Sequence, residues 1–248
     1  MPDEKSLFAR NRLLLGEEKA ERIAGSKVIV FGVGGVGSWC AESLVRSGIR
    51  DLTIVDSDNV ALSNINRQLP ATIRTIGMPK VDVLKSRFLE INPYANIIAL
   101  NELYSSENAS AFNIQDYDYV VDAIDSLSHK AHLILNVTEI GVPLFSSMGA
   151  ALKIDPQKVK VAEFWKVYGC PLARALRKKF KQNKQYPAKK FQCVYSPELL
   201  TNAGETDDDD LSSENFVKPV TNGTMAHVTA IFGFTLAGLI IQDIVSKL

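Results

Sequence analysis

KVIVFGVGGVGSWCAESLVRSGIRDLTIVDSD, residues 27–58, decides the fold. KVIVF is a short, unbroken apolar run, the pattern of a strand buried on both faces rather than one. The glycines of GVGGVG break it, and WCAESLVRSG continues with helical spacing to a terminating Gly48. DLTIVDSD then reads as a second strand. Further apolar runs follow at NIIAL (96–100), YDYVVDA (117–123) and VPLFSS (142–147), separated by predicted helices from about Pro79 to Leu89 and from His129 onward. Strands alternating with helices imply right-handed crossovers and a parallel sheet. The predicted class is α/β, a doubly wound, mostly parallel, Rossmann-like sheet with a small C-terminal hairpin and helical extension.

The chain changes character near residue 150, which suggests a nucleotide-binding part over 1–150 and a second part over 151–248 packed on the same core. ALKIDPQKVKVAEF (151–164) reads as a hairpin turning at Asp155-Pro156. Phe164 to Pro197 carries no acidic residue but many lysines and arginines, and GETDDDDLSSE (204–214) reads as a mobile acidic loop. Overall, 28 basic residues match 28 acidic ones. The segment from Met225 to Val245 could span a bilayer by length, or be a buried helix at a core or dimer edge; the lack of a tight basic flank favours burial. MPDEKSLFAR has no apolar h-region of a secretory signal. Cys40, Cys170 and Cys193 form no C-x-x-C pair, so neither a disulfide framework nor a four-thiolate zinc site is expected, and a reducing cytoplasm is the natural compartment.

GVGGVG between a strand and a helix satisfies G-x-G-x-x-G. Gly32, Gly34 and Gly35 let backbone approach a phosphate, and the following helix N-terminus offers N–H groups. Asp56, at the end of the second strand, stands where such folds hold a ribose. NAD or FAD is the default ligand of that cradle. Three further residues suit a triphosphate better. Arg67 and Lys80 add cations, which stabilise a leaving group as charge develops. Asp125, ending the fourth strand in VVDAIDS, suits Mg²⁺, a hard cation that prefers oxygen. Taken singly, each has another reading: Arg67 a surface ion-pair partner, Lys80 a solvated helix start, Asp125 an N-cap.

The ordered set G-x-G-G-x-G-S (32–38), D-x-D-x-V-x-x-S-N-x-x-R-Q (56–68), G-x-x-K (77–80) and D-x-x-D (122–125) resembles the adenylation domain of ubiquitin-activating-type enzymes. That family includes the bacterial molybdopterin- and thiamine-pathway adenylyltransferases. The resemblance runs over about residues 8 to 150. It implies ATP as cofactor, with Asp56 and Asp58 at the nucleotide, Ser63 and Asn64 lining it, Arg67 and Lys80 on phosphates, and Asp125 on magnesium. It also implies a homodimer in which Arg10 or Arg12, from FARNR, reaches the partner's ATP; for either arginine a plain solvated helix cap is the other reading.

Members that charge small carrier proteins often hold a structural zinc on two C-x-x-C pairs, which this sequence lacks. Instead, CPLARALRKKFK (170–181) and FQCVYSPE (191–198) are similar to the tRNA-acting branch, the threonylcarbamoyladenosine dehydratases. Arg174, Arg177, Lys178 and Lys181 fall at i, i+3, i+4 and i+7, a stripe able to track RNA phosphates, and Tyr186 and Phe191 could stack on unpaired bases. The alternative is a solvated basic helix paired with the acidic loop. The resemblance implies ATP-dependent activation of the threonyl carboxylate of a modified adenosine beside the anticodon, then ring closure. Cys193 is either a covalent relay or a small apolar packing residue. Three rivals remain: adenylation of a sulfur-carrier protein's C-terminal glycine, an NAD-dependent oxidoreductase, and a catalytically silent RNA-binding module. A sulfur-transfer protein stays open as a further partner.

Overall fold

A computed structural model describes residues 3–204 and 222–247; most of the acidic stretch 204–214 lies outside the described residues. Three helices open the chain, α1 (Glu4–Leu7), α2 (Ala9–Leu15) and α3 (Glu17–Ala24). Then β1 (Lys27–Phe31), α4 (Gly37–Arg46), β2 (Asp51–Val55), α5 (Lys80–Ile91) and β3 (Asn96–Leu100) form two successive crossovers. The chain returns to the middle of the sheet with β4 (Tyr119–Asp122), α6 (Leu127–Ile140) and β5 (Leu144–Ser147). Past residue 150 come β6 (Lys160–Glu163), α7 (Pro171–Asn183), β7 (Gln192–Tyr195) and α8 (Ala226–Ser246).

The sheet order is β3-β2-β1-β4-β5-β7-β6. All neighbours are parallel except the β6–β7 pair, which is antiparallel. Winding outward from β1 to β3 and then back to β4 leaves a switch point between β1 and β4, where a crevice opens beyond the strands' carboxyl ends. The expected hairpin at Asp155-Pro156 is corrected here. The turn exists, with the Asp155 carboxylate accepting from the Gln157 N–H, and a strand follows it. That strand pairs with β7 across the whole of α7, Lys160 opposite Tyr195, and not with 151–154. Alternation marks a strand but does not name its partner.

Two apolar layers cover the sheet. One holds α3, α4, α5 and α8; the other holds α6, α7 and aromatic residues of the segment after β3, Tyr104 and Phe112 among them. α8 is long and apolar enough to cross a bilayer by composition. Its Val228, Phe232, Leu236, Ile240 and Ile244 lie one turn apart and are all buried against the first layer, as a helix buried at the edge of a core requires. Full burial of a side chain such as Phe232 contributes about 1.5–3 kcal/mol. The α4–α8 approach is close. A Cβ on Gly233 would stand 2.5 Å from the Val36 carbonyl oxygen and 2.8 Å from the Cys40 nitrogen.

Candidate nucleotide site at the switch point

A cavity of about 380 Å³ opens where β1, β2 and β4 end. Gly32 turns the chain out of β1 with φ 82°, and a Cβ there would meet the Ala123 carbonyl oxygen at 2.8 Å, so the turns after β1 and β4 close on each other through glycine. α4 starts at Gly37 with no side-chain cap; the Ser38 and Cys40 N–H groups donate to the Gly34 and Val36 carbonyls at 3.3 and 3.1 Å, so the helix turns its positive end, rather than a full set of free donors, toward the cavity. Ser38 Oγ donates to the Gly34 carbonyl at 2.5 Å. Across the loop, Gly35 lies against the Arg67 and Thr229 side chains, so α8 braces the cradle.

Asp56 leaves β2 with its carboxylate held by two backbone N–H groups, from Val33 (2.8 Å) and Asp58 (2.9 Å). Burial nevertheless raises its carboxyl above the ordinary aspartate value of 3.8, opposed by the Lys80 charge and those N–H donors. Lys80 is buried, its Nζ 2.7 Å from Asp58 Oδ2 and 4.0 Å from Asp56 Oδ1; it is no solvated helix start. Arg67 donates to the Ser63 carbonyl and to Asn66 Oδ1, both at 2.8 Å, while Trp39 Nε1 holds the Arg67 carbonyl at 3.2 Å. Asp125 is exposed on the cavity rim and makes no hydrogen bond or ion pair among the described residues; the cap position of α6 belongs to Ser126.

A raised Asp56 pKa has a definite sign. Its contribution to stability is fully present below the unfolded-state value and is lost as pH rises through the higher folded one. A ribose hydroxyl needs the ionised acceptor. A nucleotide held through the ionised Asp56 carboxylate should therefore stabilise the fold less on acidification at a pH above 3.8, and Asp56→Asn should abolish that acid limb. Thermal melts with and without ATP across pH check this; an unchanged limb in the variant would separate Asp56 from the sugar.

Gly32, Gly34, Gly35, Asp56, Asp58, Arg67, Lys80 and Asp125 thus line one cavity. Ser63 and Asn64 do not line it. Ser63 gives its carbonyl to Arg67, and the Asn64 side chain accepts from the Ala61 N–H of its own turn. Of the two N-terminal arginines, Arg12 is mostly covered and bridges Glu17 and Glu21 at 2.6 Å each, whereas Arg10 is exposed and has no ion-pair or hydrogen-bond partner for its side chain among the described residues. On α7, Arg174, Lys178 and Lys181 are exposed. Arg177 leaves that stripe, because its guanidinium donates to the Phe164 and Val167 carbonyls. Phe191 is not free to stack on a base: it is buried, its ring 5.1 Å from Phe164. Tyr186 is exposed. Cys193 is wholly buried, and desolvation pushes its thiol well above the ordinary range, which suits packing and not a thiolate relay.

Sequence reasoning missed Tyr104. It lines the cavity from the irregular segment after β3, with its ring 4.9 Å from Phe31 and its hydroxyl shared with His132 Nδ1 (3.0 Å) and Asn136 (3.2 Å). Burial raises that phenol to about 12. No motif marks it.

The sequence model of the ThiF family matches residues 8–247. The chain belongs to the ThiF family. The tRNA threonylcarbamoyladenosine dehydratase of Bacillus subtilis is 36% identical to this ThiF-family chain over 246 residues, 97% of this chain and 95% of that one. The Escherichia coli protein of the same name is 35% identical over 198 residues, covering 78% of this chain and 74% of its own. A crystal structure of the Escherichia coli dehydratase in complex with ATP superposes with TM-score 0.86 at 31% identity, covering 98% and 95% of the two chains.

Proposed function

We propose that this chain is an ATP-dependent tRNA threonylcarbamoyladenosine dehydratase, which adenylates the threonyl carboxylate of the modified adenosine beside the anticodon and closes it into a ring. One observation carries the reading: two cations, Arg67 and Lys80, and three carboxylates, Asp56, Asp58 and Asp125, gather around the glycine loop, in a chain that matches a dehydratase over 97% of its length. A carboxylate oxygen of the substrate attacks the α-phosphorus of ATP. The bond from that phosphorus to the bridging oxygen breaks, and pyrophosphate leaves with the electron pair. The neighbouring carbamoyl group then attacks the activated acyl carbon and AMP departs, so the substrate loses one water in total. The nucleophile is already tethered, so ring closure gains from proximity and needs no enzymic thiol.

Asp56 accepts from the ribose, Arg67 and Lys80 balance charge on the phosphates, and Asp58 fixes the Lys80 ammonium. Magnesium, when bound, screens the phosphate charge. A single exposed, unpaired carboxylate beside a polyphosphate fits such an ion, which takes one or two protein carboxylates and fills its shell with phosphate and water; Asp125 would hold it. With magnesium and ATP, release of AMP and pyrophosphate is expected on adding tRNA and not on adding a sulfur-carrier protein ending in glycine. The reverse would move the chain to the carrier-activating branch.

The exposed Arg174, Lys178 and Lys181 carry tRNA phosphates in this reading. Changing all three to glutamine should raise the KM for tRNA and leave that for ATP alone. The slope of log KM against log salt should fall by roughly 2 to 3, near one per lost contact; an unchanged slope would return α7 to a solvated surface. A homodimer accounts for the unpaired Arg10 and for the exposed Leu13 and Leu14 beside it, 87% and 82% accessible. Sedimentation as a dimer is expected, and a monomer that turns over normally would remove Arg10 from the site. The reducing cytoplasm is consistent with three free, buried thiols.

A further inference from the structure

The turn that brings Asp125 to the cavity is built around an ion pair that no solvent reaches. Lys130, on the first turns of α6, and Asp122, the last residue of β4, are both 0% exposed, with Nζ 2.8 Å from Oδ2. Lys130 Nζ also donates to the Ile124 carbonyl at 3.0 Å, and Asp122 Oδ1 accepts from the Ile124 N–H at 3.2 Å. Ser146 Oγ, on neighbouring β5, donates to Asp122 Oδ2 at 2.6 Å. One ion pair therefore holds both backbone polar groups of Ile124.

Packing alone does not call for these charges. Lys130 shares its helix face with Leu133, Ile134 and Val137, all buried, and an apolar residue there would avoid the desolvation of an ammonium and a carboxylate. What an apolar residue lacks is the grip on Ile124. The turn so gripped, Ala123 to Ser126, lines the cavity. Its Ala123 carbonyl covers Gly32, and its Asp125 carboxylate stands on the rim.

We propose that Lys130 and Asp122 are positioning residues for the nucleotide: they lock the β4–α6 turn so that Asp125 faces the metal-bound phosphates. This deepens the adenylation reading and rests on its placing ATP in this cavity. Neither side chain touches ligand; both act through the Ile124 backbone.

The test compares full-length Lys130→Met with the double variant Asp122→Asn/Lys130→Met. The single variant strands a buried carboxylate and should melt well below wild type. The double variant leaves no charge at this site and should recover most of that loss, because asparagine still accepts from the Ile124 N–H, yet nothing holds the Ile124 carbonyl. Its magnesium and ATP requirements for half-maximal AMP formation should rise by about tenfold or more, the size seen when an outer partner of a metal ligand is removed. Its KM for tRNA should stay within about twofold, since the exposed Arg174, Lys178 and Lys181 of α7 are untouched. The rise in Tm that magnesium-ATP gives should shrink in the same variant. That melting readout needs no acceptor, so a wild-type protein that binds ATP but ignores tRNA would sink the functional reading and leave the pair testable.

Wild-type ATP and magnesium dependence in a stable double variant would overturn the proposal, as would equal losses toward ATP and tRNA. Should the double variant not fold, Ser146→Ala keeps both charges and removes one donor to Asp122. A rise of about threefold in the magnesium requirement is then expected, as a milder loss of the same orienting kind, and no change would overturn it equally.

Discussion

Lys80→Ala should lower the turnover of AMP formation by at least ~10²-fold, the effect of losing a donor aimed at developing charge in a water-poor site. The structure gives this lysine two tasks. Its ammonium lies 2.7 Å from Asp58 Oδ2 and within 4.0 Å of Asp56, and the buried stem permits little rearrangement. Without it the two aspartates face each other uncompensated, and Asp56, which burial already raises, rises further. Alanine should thus weaken ATP binding as well as slow the chemistry, most clearly at acidic pH. Saturating ATP in a single-turnover measurement separates the two effects, since a defect in binding alone disappears there. Turnover within about threefold of wild type at saturation would remove Lys80 from the catalytic set. Arg67→Ala should cost a similar ~10²-fold with less effect on Asp56, because its contacts are to Ser63 and Asn66.

Gly37→Ala is expected to be the most damaging single methyl in the cradle. A Cβ at Gly37 would overlap the Gly32 carbonyl oxygen, a backbone atom, and would press on the Ala123 Cβ at 3.2 Å. Relief requires the loop to leave α4 or the β4–α6 turn to lift. Overpacking against backbone destabilises by about 3 kcal/mol or more, and ATP should give no rise in Tm. Gly34→Ala is the contrast. Its Cβ would meet only the Gln68 side chain, at 3.5 Å or beyond, an ordinary contact, so this variant should melt near wild type while losing affinity for phosphate. Equal melting temperatures for the two variants would refute the account of the loop.

The central strands were legible because a strand buried on both faces reads as a near-continuous apolar run, and 28–31, 52–55 and 119–121 are such runs. The β6 edge was not. VKVAEF announces a strand, but its partner, β7, arrives only after α7, and a period of two carries no information about that distance. The residues flanking the glycine loop could be placed because strand ends set their position. Helix periodicity counted Arg177 into a basic stripe without seeing the two carbonyls that hold it. The same periodicity held an unused signal at Lys130: a lysine in register with Leu133, Ile134 and Val137 on a core face asks for a buried acceptor, and Asp122 is that acceptor. Tyr104 was out of reach, since it sits in irregular chain where neither period applies.

The brace that α8 gives to the glycine loop, Thr229 against Gly35 and Gly233 against Val36, has a consequence for biosynthesis. Translation delivers residues 226–246 after every strand of the sheet, so a nascent chain leaves the groove along α4 open to the surrounding solvent. Until Phe232 fills it, the loop lacks one wall and the emerging polypeptide exposes apolar surface. The walls of the cavity at the switch point are thus completed only when the last helix docks.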